Sequence, residues 1–296
     1  MTRPRALRIG TRGSRLALAQ ARSVAGALDD AEIVAVRSSD SEPGDKERFV
    51  RGVERALVAC EVDLGVHSAK DLPGSRPEEL RLAGVAARED ARDSFVGEVS
   101  SLAELPPGGR IGTSSLRRRS QLLALREDIE VVELRGNVDT RLAKLSAGDY
   151  DGIVLAAAGL RRLGRADEIA FSFDIDRLTP APGQGSLAIE ARRHDADASA
   201  RAARISDHDA LVELTAERAA VMALGATCQT PVGIYASLRG DELVVHGYAG
   251  LPDGSDWVRD RVTGDPEQPA ALGAALAERI LAAGAEEILE RAGAAG

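Results

Sequence analysis

The sequence predicts two α/β domains followed by a small α+β domain. Three observations lead there. The chain has 296 residues, too many for one simple core. Strand-like and helix-like segments alternate through its first half. The tetrapeptide Arg8-Ile9-Gly10-Thr11 returns as Arg110-Ile111-Gly112-Thr113, each time ahead of a serine and a helical run. A four-residue match is weak alone, but with the same strand-loop-helix context it suggests two similar domains. Ligands of such domains sit beyond the carboxyl ends of the strands.

The elements follow in order. Ala6–Gly10 reads as a short strand, and Ser14–Leu28 has helical spacing, with Leu16, Ala17, Ala21, Val24 and Leu28 on one side. Glu32–Val36 is a strand, Phe49–Cys60 an amphipathic helix and Val62–His67 a strand. Pro73 holds Leu72 extended, so His67–Pro73 should be a fixed loop. A second block opens near Asp93, with strands at Arg110–Thr113, Ile129–Leu134 and Gly152–Ala157 and helices at Ser115–Leu125 and Val138–Leu145. The third block starts near Asp207. A long helix, Ala210–Leu224, precedes Cys228, strands at Val232–Leu238, Glu242–Tyr248 and Trp257–Val262, and a last helical region from Pro269.

Composition excludes several classes. Apolar residues at 44% and charged residues at 29% argue against wholesale disorder. The apolar run at Ile153–Leu160 is far shorter than a membrane span, and Met1–Gly10 lacks the apolar core of a secretory signal. Two cysteines, Cys60 and Cys228, exclude a disulfide scaffold. A net charge of -9 and 3% aromatic residues argue against a nucleic-acid binder. His194, His208 and His246 have no metal-ligand spacing, so no metal is expected. Lysine occurs only at Lys46, Lys70 and Lys144, so these positions attract notice in an arginine-rich chain.

The most informative segment is Gly112 to Arg119. A helix N-terminus carries unpaired N–H groups and about half a positive charge, so arginines in its first turn call for an anion. From Arg110 to Arg126 there are five arginines and no acid, which describes a carboxylate or phosphate site or, on the plainer reading, a solvated basic face. Successive helical residues fan out by roughly 100°, so Arg117, Arg118 and Arg119 cannot share one ligand, and Arg119 falls to solvent or an interdomain contact. Leu134-Arg135-Gly136-Asn137 and Thr140-Arg141 repeat the strand-end, glycine-turn, helix-start arrangement, as does Thr11-Arg12-Gly13-Ser14. Several arginines on one edge of an acidic protein imply a ligand with several negative charges. Asp71 beside Lys70 is a candidate catalytic carboxylate or a surface ion pair, and His67 reads as a strand-end structural residue before it reads as a base. Cys228, on a loop of small residues, is either inert filler or a reactive thiol.

Together these motifs resemble the porphobilinogen deaminase (hydroxymethylbilane synthase) family. They are Arg8 to Ser14, His67 to Pro73, Gly112 to Arg118, Arg135 to Val138 with Thr140-Arg141, Ala158-Gly159-Leu160 with Arg162-Leu163-Gly164, Pro182-Gly183-Gln184-Gly185, and Cys228-Gln229 with Pro231-Val232-Gly233. The match runs in order over nearly the whole chain.

The resemblance implies two type II periplasmic-binding-protein-like α/β domains flanking a cleft, residues 1–90 with 184–205 and residues 91–183. A third α+β domain, residues 206–296, carries the cysteine. It implies a dipyrromethane cofactor joined to Cys228 by a thioether. Four porphobilinogens would be added head to tail, each losing ammonia, before water releases hydroxymethylbilane. It implies Asp71 as the catalytic carboxylate. Arg12, Ser14, Lys70, Thr113, Ser114, Ser115, Arg117, Arg118, Arg135, Arg141 and Arg162 match positions that bind cofactor and substrate side chains. A cytoplasmic, monomeric transferase of porphyrin and heme biosynthesis is expected, with porphobilinogen as small-molecule partner and neither nucleic acid nor membrane.

Two departures from the family pattern stand out. Ser38–Phe49 is shorter than the usual lid segment and lacks its double glycine, although Lys46 and Phe49 align. Ala226-Thr227 precedes Cys228 where two glycines are common. Competing readings are a two-lobed polyanion-binding protein without turnover and an impaired relative with a shortened lid.

Overall fold

The computed structural model describes residues 5–28, 30–36, 47–227 and 229–294. Cys228, Lys46 and the rest of the proposed lid up to Lys46 lie outside the described residues. The chain begins β1 (Leu7–Arg12), α1 (Arg15–Ala27), β2 (Ala31–Val36), α2 (Glu47–Val58), β3 (Leu64–Ser68) and β4 (Leu80–Ala86). It continues with β5 (Asp93–Gly97), β6 (Arg110–Gly112), α3 (Leu116–Leu125), β7 (Glu130–Val132), α4 (Val138–Ser146), β8 (Gly152–Ala156), α5 (Ala157–Arg162) and β9 (Phe171–Ser172). It ends with β10 (Leu187–Arg192), α6 (Ala196–Arg204), α7 (His208–Ala223), β11 (Val232–Arg239), β12 (Glu242–Gly250), β13 (Trp257–Gly264), α8 (Pro269–Ile280) and α9 (Glu286–Ala294). No helix among the described residues is long and apolar enough to cross a membrane.

The chain forms two compact units, Met1–Glu89 with Ser186–Leu211, and Asp90–Gly185 with Val212–Gly296. In the first, a five-stranded sheet has the order β2-β1-β3-β10-β4. Strand β1 runs parallel to β2 and β3, while β10 runs antiparallel to both β3 and β4. Leu7, Ile9, Leu64, Val66, Leu187 and Ile189 pack with Ala21 and Val24 of α1, while Ala56 and Leu57 of α2 pack on Val62 and Leu80.

The second unit holds a sheet of order β7-β6-β8-β5-β9 with the same pattern of directions. The repeated tetrapeptide therefore has a structural meaning, since its two copies enter the equivalent central strands β1 and β6. The shared glycine has one too. A Cβ on Gly10 would stand 2.8 Å from Val62, and one on Gly112 would stand 2.9 Å from Tyr150. The same unit contains the antiparallel sheet β11-β12-β13, whose Ile234 and Val245 pack with Leu276 and Ile280 of α8.

Sequence patterning located β1–β3, β6–β8, the three strands of the last sheet and most helices, and missed β4, β5, β9 and β10. Strand β10 reads Leu-Ala-Ile-Glu-Ala-Arg and is buried at every residue. Its Glu190 and Arg192 make it look half-solvated, but Arg192 donates to the carbonyls of Leu57 and Val62 and pairs with Asp195 at 2.6 Å. A buried charge that is fully hydrogen-bonded hides a central strand from a hydrophobicity reading.

Candidate functional site

In the first unit, the carboxyl ends of β1 and β3 and the start of α1 enclose a pocket of about 520 Å3, open solvent included. Arg12, Ser14, His67, Lys70 and Asp71 line it, with Leu16 and Val50 as apolar wall. Ser14 caps α1, its Oγ accepting from the Ala17 N–H at 3.2 Å. Thr11, absent from the sequence-based set, lies buried at the pocket base, within 3.4 Å of the carbonyl of Val66. The repeat held the signal for it, because Thr11 is the counterpart of Thr113.

Asp71 closes a single 3₁₀ turn, Ala69–Asp71, where the sequence suggested only a fixed loop. The turn is anchored by the Ala69 N–H donating to the Ser186 carbonyl at 3.0 Å. Ahead of Pro73, Leu72 is extended at φ -68°, ψ 132°, as the proline requires. The half-buried Asp71 carboxylate makes no hydrogen bond or ion pair with a described residue. His67 is buried, and its Nε2 stands 3.2 Å from Oε2 of Glu190.

In the second unit, the start of α3 is capped by Ser115, whose Oγ accepts from the Arg118 N–H. Thr113 is buried and its Oγ1 accepts from the Ser115 N–H at 3.2 Å, leaving Ser114 exposed. The first-turn arginines do meet an anion, but it is the chain's own Asp93. Arg117 donates to Asp93 at 2.7 Å and to the Thr179 carbonyl at 2.6 Å. Arg118 donates to the same carboxylate at 2.7 and 2.9 Å and to the Val154 carbonyl at 2.8 Å. All three side chains are buried, and Gln184 adds a hydrogen bond to Asp93. The acid lies 24 positions before Arg117, so no local reading of the helix could supply it. Arg119 donates to the Val131 carbonyl and so does not extend freely into solvent.

The remaining arginines are more accessible. Arg141 donates to the Gly136 carbonyl at 2.8 Å and contacts Ser114 Oγ at 3.4 Å, which joins two of the sequence-selected residues. Arg135 is exposed and pairs with Glu133 at 2.7 Å. Arg162 donates to the Gly185 carbonyl at 2.7 Å, tying α5 to the Gly183–Gly185 turn.

The electrostatics follow the burial. Burial alone would raise the Asp93 carboxyl, but Arg117 and Arg118 hold it well below the usual carboxylate range. Burial pushes the Arg117 guanidinium down, and Asp93 offsets part of that. Arg141 is lowered to about 10, first by burial and then by repulsion from Arg118. It is a half-buried cation with a like charge nearby, and an incoming carboxylate would relieve both effects.

The chain is similar to known proteins over most of its length. The model of the porphobilinogen deaminase dipyromethane cofactor binding domain matches residues 7–200, and that of the porphobilinogen deaminase C-terminal domain matches residues 211–282. A porphobilinogen deaminase of Roseiflexus castenholzii is 46% identical, covering 96% of this chain and 98% of the relative. One of Deinococcus radiodurans is 43% identical over 97% and 98% of the two chains, and one of Thermus thermophilus 43% over 95% and 97%. A solved TRAP periplasmic solute binding protein from Desulfovibrio salexigens is similar at a TM-score of 0.41, 11% identical, over 69% of this chain and 73% of that one.

Proposed function

Because the chain belongs to the porphobilinogen deaminase family, we propose that it condenses four porphobilinogen molecules head to tail, loses one ammonia at each addition, and releases hydroxymethylbilane by hydrolysis. The observation that carries this reading is the pocket of the first unit. It gathers Arg12 and Ser14 from one segment of the chain and Lys70 and Asp71 from another.

The donor set fits a dipyrromethane and its acidic substrate. Each pyrrole of that kind bears an acetate and a propionate. Arginine and lysine bind such groups through charge-assisted hydrogen bonds. Arg12, Lys70 and Ser14 would hold side-chain carboxylates in the first unit. Thr113, Ser114, Ser115, Arg135, Arg141 and Arg162 would do so in the second. Arg117 and Arg118 then act from beneath, by fixing the start of α3 through Asp93. The sulfur of Cys228, in a third domain of residues 206–296 beside domains of residues 1–90 with 184–205 and 91–183, would hold the cofactor by a thioether. When bound, the dipyrromethane supplies the nucleophilic pyrrole carbon on which the chain is started.

Asp71 has the central role. As ammonia leaves the substrate, positive charge spreads over the pyrrole and its methylene carbon. A carboxylate already fixed on a rigid turn stabilises that charge without reorganising, and it accepts the pyrrole N–H. The proton lost from the attacking carbon balances the released ammonia as ammonium. We place this activity in the cytoplasm, in a monomer acting without nucleic acid or membrane.

Intact mass tests the reading. The native protein should exceed its sequence mass by a two-pyrrole adduct, and Cys228→Ser should lack it. Incubation with porphobilinogen should release ammonia. A native protein with no adduct and no ammonia release after exposure to porphobilinogen ends the proposal.

A further inference from the structure

Behind the pocket of the first unit lies a cluster the reaction above does not use. Glu190 on β10 and His67 on β3 project to the face of the sheet that α2 covers. Their side chains are 0% and 3% exposed, and Glu190 Oε2 stands 3.2 Å from His67 Nε2. Glu54 of α2 is also buried. Arg76, from the segment before β4, approaches Oε1 of Glu190 only to 3.7 Å. Among the described residues Glu54 Oε1 and Glu190 Oε1 have no hydrogen-bond partner, and His67 Nε2 and Glu190 Oε2 have none besides their mutual contact. Buried polar atoms without partners are costly, so two beside a histidine–carboxylate contact call for an explanation.

The fold makes room for this cluster. Gly65 faces Glu190 across the β3–β10 ladder, and a Cβ there would stand 3.1 Å from His67 Nε2 and 2.9 Å from Leu57 and Val53. The missing side chain lets the imidazole and α2 close over the carboxylate. Burial raises the Glu54 carboxyl, the nearby Glu190 raises it further, and His67, Arg76 and Arg51 offset part of this. On the pocket side the charged groups beside His67 are Lys70 and Asp71.

We propose that Glu54, Glu190 and His67 are a proton-sharing cluster, with a proton held on Glu54. The cluster fixes the orientation of His67 beside Asp71. These are positioning residues, because only His67 lines the pocket. The role in the reaction rests on the function proposed above. The shared proton does not.

Infrared spectroscopy of the full-length protein near neutral pH tests the proton. A buried carboxylic-acid band should be present and should vanish in Glu54→Gln. Thermal unfolding against pH is the second readout. A carboxyl raised in the folded state stabilises fully below its unfolded value, and that contribution is lost as pH rises through the folded one. Glu54→Gln should therefore gain melting temperature over the native protein as pH increases. An unchanged band, or parallel melting curves, overturns the cluster.

For the role, kcat should be followed against pH in Glu190→Gln, with Glu54→Gln as the second variant should the first not fold. A displacement of the profile by about one pH unit, or about tenfold on the affected limb, is expected with the adduct mass retained. Profiles that superimpose on the native one reduce these residues to packing. If the native protein carries no adduct and releases no ammonia, the function fails, while the infrared and thermal results still decide the shared proton.

Discussion

Strands β10 and β5 hold the same place in two sheets of the same order, and each carries a buried acid. On β5, Asp93 accepts from Arg117, Arg118 and Gln184 at 2.7–2.9 Å. On β10, Glu190 has His67 at 3.2 Å and Arg76 at 3.7 Å, and no further partner on either oxygen among the described residues. One scaffold thus supports a buried acid with both oxygens hydrogen-bonded and one with neither so bonded by a described residue apart from its histidine contact. The filled network lies under the start of α3 and fixes it in place. The other lies behind Asp71, where a movable proton has a use. Backbone topology fixes where an acid sits, and its neighbours decide whether it stiffens the fold or stays available to chemistry.

The sharpest way to break this comparison is to remove the fully hydrogen-bonded acid. Asp93→Asn leaves two buried guanidiniums without their counter-charge, and should destabilise the protein by about 3–5 kcal/mol. Urea unfolding measures it. A loss below about 1 kcal/mol would mean that Arg117 and Arg118 find other partners or reach solvent. Glu54→Gln should move stability in the opposite direction, because it removes a carboxyl from an environment that disfavours its charge.

Asp71→Ala comes next. Its carboxylate has no described partner to strand, so the melting temperature should stay close to that of the native protein. Turnover should fall by about 10²–10³-fold, the range for losing one preorganised charge-stabilising group. Ammonia release per porphobilinogen added is the measurement, and near-native turnover removes Asp71 from the reaction.

The contrast also accounts for what could be read in advance. The central strands, the helix starts at Ser14, Ser115 and Asn137, and the extended residue before Pro73 follow from local chemistry, and all were legible. Asp71 was legible as a carboxylate on a fixed loop. The partner of Arg117 and Arg118 was not, because Asp93 lies two strands away in sequence and beside them only in the folded sheet. Glu190 was invisible for the same reason. It sits in a strand whose two charged residues disguise its burial, and its neighbours His67 and Glu54 come from 123 and 136 positions earlier, separations that no periodicity records. Local signals identify residue types suited to a site; whether a charge faces a ligand or another residue of the chain depends on long-range pairing.

The smallest effect on the fold should come from Arg135, the exposed counterpart of Arg117. Its side chain is 79% exposed and that of its partner Glu133 is 61% exposed. Water already screens such a pair, so Arg135→Gln should change stability by no more than about 0.5 kcal/mol. Any cost should appear in binding. If Arg135 holds a side-chain carboxylate equally in the ground and transition states, its loss raises KM several-fold and leaves kcat nearly unchanged. Arg117→Leu should do the reverse, lowering the melting temperature by leaving Asp93 short of a partner. Steady-state kinetics and thermal unfolding on the two variants separate the roles. A large drop in melting temperature for Arg135→Gln, or an unchanged KM, would take Arg135 out of the binding set and leave Arg141 with Ser114 as the carboxylate site of that edge.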